Sequence, residues 1–209
     1  MLKPEEIEYI CDVLEEEIKD TNSELSYNSE YEFLVAVVLS AQTTDRQVNI
    51  VTKQLFSAVK TPQEMIDLEY DKICEYINSV SFFQNKARFL IELSQKIIDT
   101  FNGQVPQNRE DLMSLSGVGR KTANVVLNQL FNKPTIAVDT HVHRVSNRLG
   151  LSNEKNPDKI EADLCRIIPE KYMNHIGSRI LLFGRYTCTA RSPKCYKCKF
   201  KHMCKEKRS

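Results

Sequence analysis

Four cysteines near the C-terminal end have a spacing that suits a metal centre. They follow the pattern Cys-x6-Cys-x2-Cys-x5-Cys, at Cys188, Cys195, Cys198 and Cys204. Structural zinc sites usually combine two separate pairs of close cysteines, whereas only one close pair is present here. One loop around a compact cubane fits this spacing better. The pattern therefore favours an iron–sulfur cluster, [4Fe-4S], with zinc as the alternative.

The other cysteines of the total of seven are scattered among apolar neighbours. Cys11, Cys74 and Cys165 are therefore predicted to be buried thiols. An intracellular chain seldom uses a group of close cysteines for disulfides, which strengthens the metal interpretation of the C-terminal four.

Charge is unevenly distributed along a chain whose net charge is only +1. Residues 185–209 carry nine Lys or Arg against a single acid, Glu206, while the first twenty residues are rich in Asp and Glu. A basic end on a near-neutral chain is typical of a polyanion partner, and a solvated tail is the alternative. A cluster within this segment would hold a basic loop in shape, a structural role that we favour over electron transfer.

A glycine-rich turn lies between two predicted helices at residues 112–123. Gly117 and Gly119 permit positive φ and close backbone approach, and Val118 is placed to pack between the helices. The start of the second helix, at Arg120, presents amide groups that suit an anion. The pattern indicates a helix-hairpin-helix, which grips DNA phosphates without reading sequence. An ordinary turn between packed helices is the alternative.

Helical periodicity dominates the elements that must position these residues, and it predicts an all-α fold. The β-branched run 134–138 is the sole weak strand candidate, which we interpret as an extended linker. The predicted helices are 4–18, 31–39, 45–59, 62–68, 71–80, 84–101, 110–115, 120–131, 139–150, 158–168 and 176–186.

No targeting or membrane segment is predicted. The N-terminus is acidic and polar, unlike a secretory or transit peptide. The longest apolar run, Phe33–Leu39, is too short to span a bilayer. These features predict a soluble intracellular protein.

Several segments together resemble the endonuclease III family. They are the hairpin continuing through 121–127, the segment 137–142, the segments 39–45 and 184–188, and the four-cysteine loop. The hairpin alone is shared by many DNA-binding proteins, but its combination with a lysine, a downstream aspartate and this cysteine spacing is highly specific. The resemblance covers almost the whole chain.

The resemblance implies a two-lobed all-α protein. A six-helix barrel domain spans residues 23–133 and contains the helix-hairpin-helix at about 108–132. A helical iron–sulfur domain combines residues 1–22 and 134–209. DNA is expected in the cleft between the lobes, with the damaged base flipped out of the duplex.

By the same resemblance, the catalytic residues are Lys121 and Asp139. The lysine amine attacks C1′ of the deoxyribose and leaves a Schiff base, from which β-elimination cuts the strand. The amine must first be neutral, which burial and a helix N-terminus both favour. The carboxylate assists proton transfer and stabilises positive charge on the sugar. A phosphate-binding lysine and a helix-capping aspartate are the alternatives.

The resemblance also assigns residues that contact DNA. Gln42 is expected to enter opposite the orphaned base, and its segment also reads as a helix-connecting turn with a capping box from Thr44 to Gln47. Phe82 occupies the wedge position, where leucine is usual, and can still intercalate; one of the two phenylalanines there is expected in the core instead. Gly117 and Gly119 are expected to grip phosphate, and His141 to touch the backbone.

The implied function is base-excision repair by a DNA glycosylase with abasic-site lyase activity. Oxidised or ring-saturated pyrimidines in duplex DNA are the implied substrates. A cytoplasmic, prokaryotic, DNA-associated monomer is expected. Three alternatives are a monofunctional adenine-mispair glycosylase, a non-catalytic DNA-binding scaffold with structural zinc, and a redox protein. The first lacks support because Lys121 is present and residues 33–39 supply no carboxylate, and the third because no flavin or nicotinamide motif is found.

Overall fold

The computed structural model describes residues 2–206. Lys207 and Arg208, part of the basic end, lie outside the described residues. The described chain is helical and contains no strand, which confirms the predicted all-α class. The helices are α1 Pro4–Glu17, α2 Glu30–Ser40, α3 Asp45–Ala58, α4 Pro62–Asp67, α5 Tyr70–Ile77, α6 Phe83–Phe101, α7 Arg109–Met113, α8 Arg120–Phe131, α9 Thr140–Leu149, α10 Pro157–Ile167 and α11 Met173–Tyr186.

Many of these helices begin at a short polar residue whose side chain accepts a backbone hydrogen bond from the first turn. Such caps satisfy amides that have no acceptor within the helix, which is why Ser, Thr, Asn and Asp mark the starts. The capping residues are Ser29, Thr44, Thr61, Asn108, Asp139 and Asn156.

The chain divides into two compact units. The central unit, Ser23–Phe131, contains α2 to α8. Helix α2 is buried along Tyr31–Leu39, and it contacts α3, α6 and α8. A helix that is buried on every side belongs at the centre of a core, and α3, α6 and α8 pack around α2.

The split unit, Met1–Asn22 with Asn132–Ser209, has a core of its own. Ile10 and Leu14 of α1 are fully buried, and α1 packs against α11. Helix α9 also packs against α11, and Gly184 allows that approach because a Cβ there would lie 2.9 Å from the Cβ of His141. The first helix of the chain therefore completes a core built mainly from the last third.

Most helix bounds agree with the sequence predictions to within one or two residues. The two larger differences are α5, which ends at Ile77 and not at residue 80, and α11, which begins at Met173 and not at residue 176. The 3-10 turn Glu170–Tyr172 leads directly into α11. The prediction for the scattered cysteines is right for Cys11, which is buried, and wrong for Cys165, which is exposed. No helix within residues 2–206 is both long and apolar enough to cross a membrane.

Candidate functional site

The hairpin forms as predicted between α7 and α8. Leu112, Leu115, Val118 and Ala123 are all buried in the core of the central unit. The Val118 amide donates to the carbonyl of Leu115 at 3.1 Å, which closes the turn. Apolar packing on both sides therefore holds the hairpin in shape.

The two glycines of the hairpin have different roles. Gly117 has φ +79°, and a Cβ there would lie 3.0 Å from the Phe89 ring. Gly119 has no positive φ, and a Cβ there would have nothing within 4 Å. Of the two glycines, which both permit positive φ, Gly117 adopts it and Gly119 does not. Its lack of a side chain leaves the backbone at the start of α8 open to an approaching ligand.

Lys121 is the second residue of α8. The Ala123 amide donates to the Gly119 carbonyl at 2.9 Å, which closes the first turn of the helix, and the start of a helix is favourable for an anion. Lys121 is exposed. The expectation that the lysine is buried is therefore wrong for the protein by itself.

Asp139 caps α9 in the split unit. Its Oδ1 accepts hydrogen bonds from the amides of His141 and Val142, both at 2.8 Å. Asp139 therefore does cap the helix, which was the alternative to a catalytic role. A single oxygen takes both bonds, so Oδ2 is available for another partner.

His141 lies in the first turn of α9 and is half-buried. Its Nδ1 is 3.1 Å from Nη2 of Arg144. A guanidinium can only donate, so Nδ1 must be the acceptor and the proton of the neutral ring belongs on Nε2. This tautomer gives His141 an N–H donor on the side of the ring away from Arg144.

Gln42 and Phe82 lie at the tips of two loops of the central unit, the Gln42 loop (residues 41–44) and the Phe82 loop (residues 78–82). Both residues adopt the left-handed backbone region, with φ 56° and φ 57°, and both are exposed. Phe82 is 64% exposed, while the next residue, Phe83, packs against the core. This confirms that one phenylalanine is a core residue, and identifies it as Phe83.

Thr44 caps α3 by accepting from the Gln47 amide at 3.3 Å, but the predicted capping box is incomplete. The Gln47 side chain does not return to the cap. It donates instead to the Ser79 hydroxyl at 2.7 Å and joins the first turn of α3 to the Phe82 loop.

The four C-terminal cysteines line one cavity of about 640 Å³ in the split unit. Among residues 2–206, no group of three or more His, Cys, Asp or Glu side chains lies close enough to hold a single metal ion. Four thiols around one cavity suit a group with several metal atoms better than one ion. The donor set therefore fits the predicted cluster.

Electrostatics at these cysteines favours a cationic occupant. Burial raises the pKa of Cys198, and the charges of Cys188, Cys195 and Cys204 raise it further. Burial also raises the pKa of the Cys204 thiol. Four thiolates would repel one another without a positive centre to bind them.

Arg148, a buried arginine on α9, holds the first part of the cysteine loop (residues 187–206). Its Nη1 donates to the carbonyl of Thr189 at 2.8 Å and to Sγ of Cys188 at 3.4 Å. The guanidinium also forms an ion pair with Glu206 at 2.9 Å. One turn earlier, Arg144 donates to the carbonyl of Cys188 at 3.0 Å. Neither arginine was predicted as a site residue from the sequence.

Comparison of this chain with known proteins agrees with its helical fold and its hairpin. Residues 35–170 match the model of the HhH-GPD superfamily of base excision DNA repair proteins. The match spans more than half of the chain, and it defines the class of protein.

Whole-length comparisons are more specific. Endonuclease III of Haemophilus influenzae is 44% identical over 207 residues, which cover 99% of this chain and 98% of the relative. Endonuclease III of Treponema pallidum is 47% identical over 181 residues, which cover 87% of this chain and 86% of the relative. A solved structure of a trapped endonuclease III–DNA covalent intermediate, an estranged-adenine complex, matches with a TM-score of 0.94 and 43% identity, and covers 99% of this chain and 98% of its own.

The chain belongs to the endonuclease III family. Its function is accordingly base excision repair, as a DNA glycosylase with abasic-site lyase activity.

Proposed function

We propose that this chain excises oxidised pyrimidines from damaged duplex DNA through covalent attack by Lys121, and then cuts the strand 3′ to the abasic site. The position of Lys121 carries the proposal. It is exposed on the first turn of a helix that begins at the open backbone of Gly119. A phosphate seated at this helix start would bring the sugar of a damaged nucleotide to the amine.

The reaction balances without an external oxidant or reductant. The neutral Lys121 amine attacks C1′, the bond between C1′ and the base breaks, and the base leaves with a proton. The attached nitrogen then gives a proton to the ring oxygen O4′, the bond from C1′ to O4′ breaks, and the resulting open-chain iminium acidifies C2′. Removal of the C2′ proton breaks the bond from C3′ to its oxygen and cuts the strand. Since Lys121 is exposed, the bound DNA itself must exclude water from the amine.

Asp139 supplies the carboxylate of this reaction. Its Oδ1 is held by two amides of α9 at 2.8 Å, which fixes the side chain and leaves Oδ2 for the reacting sugar. Such a carboxylate stabilises positive charge on the sugar and moves protons during base release.

Several residues bind the DNA. Gly117 and Gly119 shape the hairpin for a phosphate, and His141 donates from Nε2 to the backbone. Gln42 and Phe82 fill the space left by the flipped base, and their exposure and left-handed backbone support that role. Phe82 intercalates where the family usually places leucine.

Cys188, Cys195, Cys198 and Cys204 hold a [4Fe-4S] cluster, as the family generally does. When bound, the cluster maintains the shape of the basic loop and performs no step of the excision. Lys194, Lys197 and Lys201 are exposed on this loop and suit DNA phosphates. The active form is a monomer.

The first test traps the covalent intermediate. Purified wild type is incubated with duplex DNA carrying one oxidised pyrimidine, and in parallel with an abasic duplex, and borohydride is added. We expect an adduct with wild type and with Lys53→Gln, an exposed lysine on α3, and none with Lys121→Gln. Base release without an adduct would indicate a monofunctional glycosylase. Neither release nor adduct on both duplexes would leave a non-catalytic scaffold.

Asp139→Asn separates the capping role from the catalytic role. Asparagine caps helices about as well as aspartate, so the melting temperature should change little. Single-turnover base release should fall by roughly 100-fold, because the charge is lost. An unchanged rate would leave Asp139 with the capping role alone.

A further inference from the structure

Lys86, on the first turn of α6, is a buried lysine with no role in the proposed chemistry. It is 5% exposed. Its ammonium group donates to the carbonyl of Leu39 at 2.8 Å, to the carbonyl of Ala41 at 2.6 Å and to the hydroxyl of Thr43 at 3.3 Å. All three acceptors lie in the segment that carries Gln42.

These bonds enclose a strained residue. Ala41 and Thr43 flank Gln42, whose φ is 56°. A left-handed conformation at a residue other than glycine is strained and persists only where the surroundings impose it. Lys86 provides that constraint, because its ammonium group binds acceptors on both sides of Gln42.

The same lysine reaches the second strained residue. The Thr43 hydroxyl, which accepts from Lys86, also accepts from the Ser81 amide at 3.3 Å. The Lys86 backbone amide donates to the Phe82 carbonyl at 3.1 Å, which is a first-turn bond of α6 and does not depend on the side chain. Phe82 has φ 57° and is 64% exposed. The Lys86 side chain is thus linked to the Phe82 loop through the Thr43 hydroxyl.

An apolar residue would fill this position more favourably for stability alone. Burial lowers the pKa of Lys86 to about 8, so the charged side chain is held at a free-energy cost. Within the central unit, no carboxylate pairs with it. A buried charge that satisfies only loop acceptors points to a role in the shape of those loops.

We propose that Lys86 is a positioning residue that orders the Gln42 and Phe82 loops before DNA binds. The inference rests on the proposed insertion of Gln42 and Phe82 into the duplex. Two preordered tips enter the duplex without the entropy loss of ordering them during binding. Lys86 itself does not touch DNA, and its effect passes through the two loops.

The test measures duplex opening separately from chemistry. A duplex with tetrahydrofuran in place of the damaged nucleotide and 2-aminopurine beside it is mixed with wild type, Lys86→Met, Lys86→Arg, Thr43→Val and the exposed control Lys53→Met. The rate and amplitude of the fluorescence rise report unstacking. Binding of the same duplex is measured by anisotropy, and thermal melting reports folding.

For Lys86→Met, we expect the unstacking rate to fall by roughly tenfold, because displaced loops must reorder during insertion. Binding should change less than threefold, since the hairpin is untouched. Lys86→Arg should recover most of the rate, and Thr43→Val should lose roughly threefold. Adding Lys86→Met to Thr43→Val should cause little more loss than Lys86→Met alone, because both act through one network.

Wild-type unstacking in Lys86→Met and Thr43→Val would overturn the inference. If Lys86→Met fails to fold, a wild-type unstacking rate in Thr43→Val would also overturn the inference. The hydrogen bonds through Thr43 would then have no effect on duplex opening. If wild type and Lys53→Met both fail to open the duplex, the proposed function fails and not the role of Lys86.

Discussion

The hairpin and the cysteine loop are both proposed to meet DNA, yet they are held in opposite ways. Four buried apolar residues fix the hairpin: Leu112, Leu115, Val118 and Ala123. In the cysteine loop, residues 187–206, Phe200 alone is buried, and the regular structure is one 3-10 turn. The hairpin is therefore complete without a ligand, whereas the loop depends on polar bonds from α9 and on what its cysteines bind.

Loss of a cluster ligand should have the largest effect, and it should affect the cysteine loop and not the hairpin. We expect Cys198→Ser to lose its iron and to destabilise the split unit by about 4 kcal/mol, because metal binding is part of the folding free energy. Limited proteolysis should cut residues 187–206 and spare residues 23–131. Cys165→Ser, at an exposed thiol outside the loop, should keep its iron and resist the protease. Equal resistance in both variants would contradict this view.

Arg148→Met should have the next largest effect. It removes the donor to Thr189 and Cys188 and leaves Glu206 without its buried partner. We expect a loss of about 3 kcal/mol in urea unfolding and a faster loss of iron to a chelator. Arg166→Met is the control, because its ion pair with Asp163 is largely exposed and should contribute less than about 0.5 kcal/mol.

The two hairpin glycines give a smaller but sharper contrast. Gly117→Ala should destabilise the protein by about 2 kcal/mol, because it strains a backbone at φ +79° and crowds Phe89. Gly119→Ala should leave stability within about 0.5 kcal/mol, because nothing lies within 4 Å of the new methyl group. It should instead weaken binding to an abasic duplex by roughly tenfold, through a clash with phosphate. The opposite pattern would exchange the two roles.

At alkaline pH, one buried group in each unit should change the free energy of unfolding, and the two changes should have opposite signs. Burial lowers the pKa of Lys86 to about 8 from 10.5, so between these values the unfolded chain binds more protons and the free energy of unfolding rises with pH. Burial, with Asp12 and Glu8 nearby, raises the pKa of Cys11 from 9.0 to about 12. Between those values the folded chain binds more protons, so stability falls as pH rises.

Denaturation at a series of pH values checks both signs. The free energy of unfolding of wild type minus that of Lys86→Met should rise with pH from about pH 8 to 10.5. The free energy of unfolding of wild type minus that of Cys11→Ala should fall with pH above pH 9. Parallel curves for wild type and either variant would remove that group from the pH dependence.

The helices were predictable because their apolar periodicity and their caps agree. Pro62 after Thr61, and Asn156 before Pro157, mark helix starts by local chemistry alone. The first turns of α11 were missed, because its beginning depends on a 3-10 turn that packs Tyr172 into the core. Periodicity does not encode such tertiary packing.

Candidate site residues were found where a short motif carried them, and missed where a charge lies in the core. Lys86 and Arg148 sit at positions of the buried stripes of α6 and α9. A charged residue in phase with Leu90 and Ile97, or with Val145, is the signal that could have revealed them. The left-handed backbones of Gln42 and Phe82 carry no such signal, because φ above zero is uncommon outside glycine.

The split unit also sets the order in which this protein can take shape during synthesis. Helix α1 leaves the ribosome first, but the helix that covers Ile10 and Leu14, α11, is translated last among the helices. At about 5–20 residues per second, α1 waits on the order of ten seconds or more with its apolar stripe uncovered. The central unit can fold during this interval. The acidic residues along α1, including Glu5, Glu8, Glu15 and Glu16, keep the waiting helix in solution until its partner arrives.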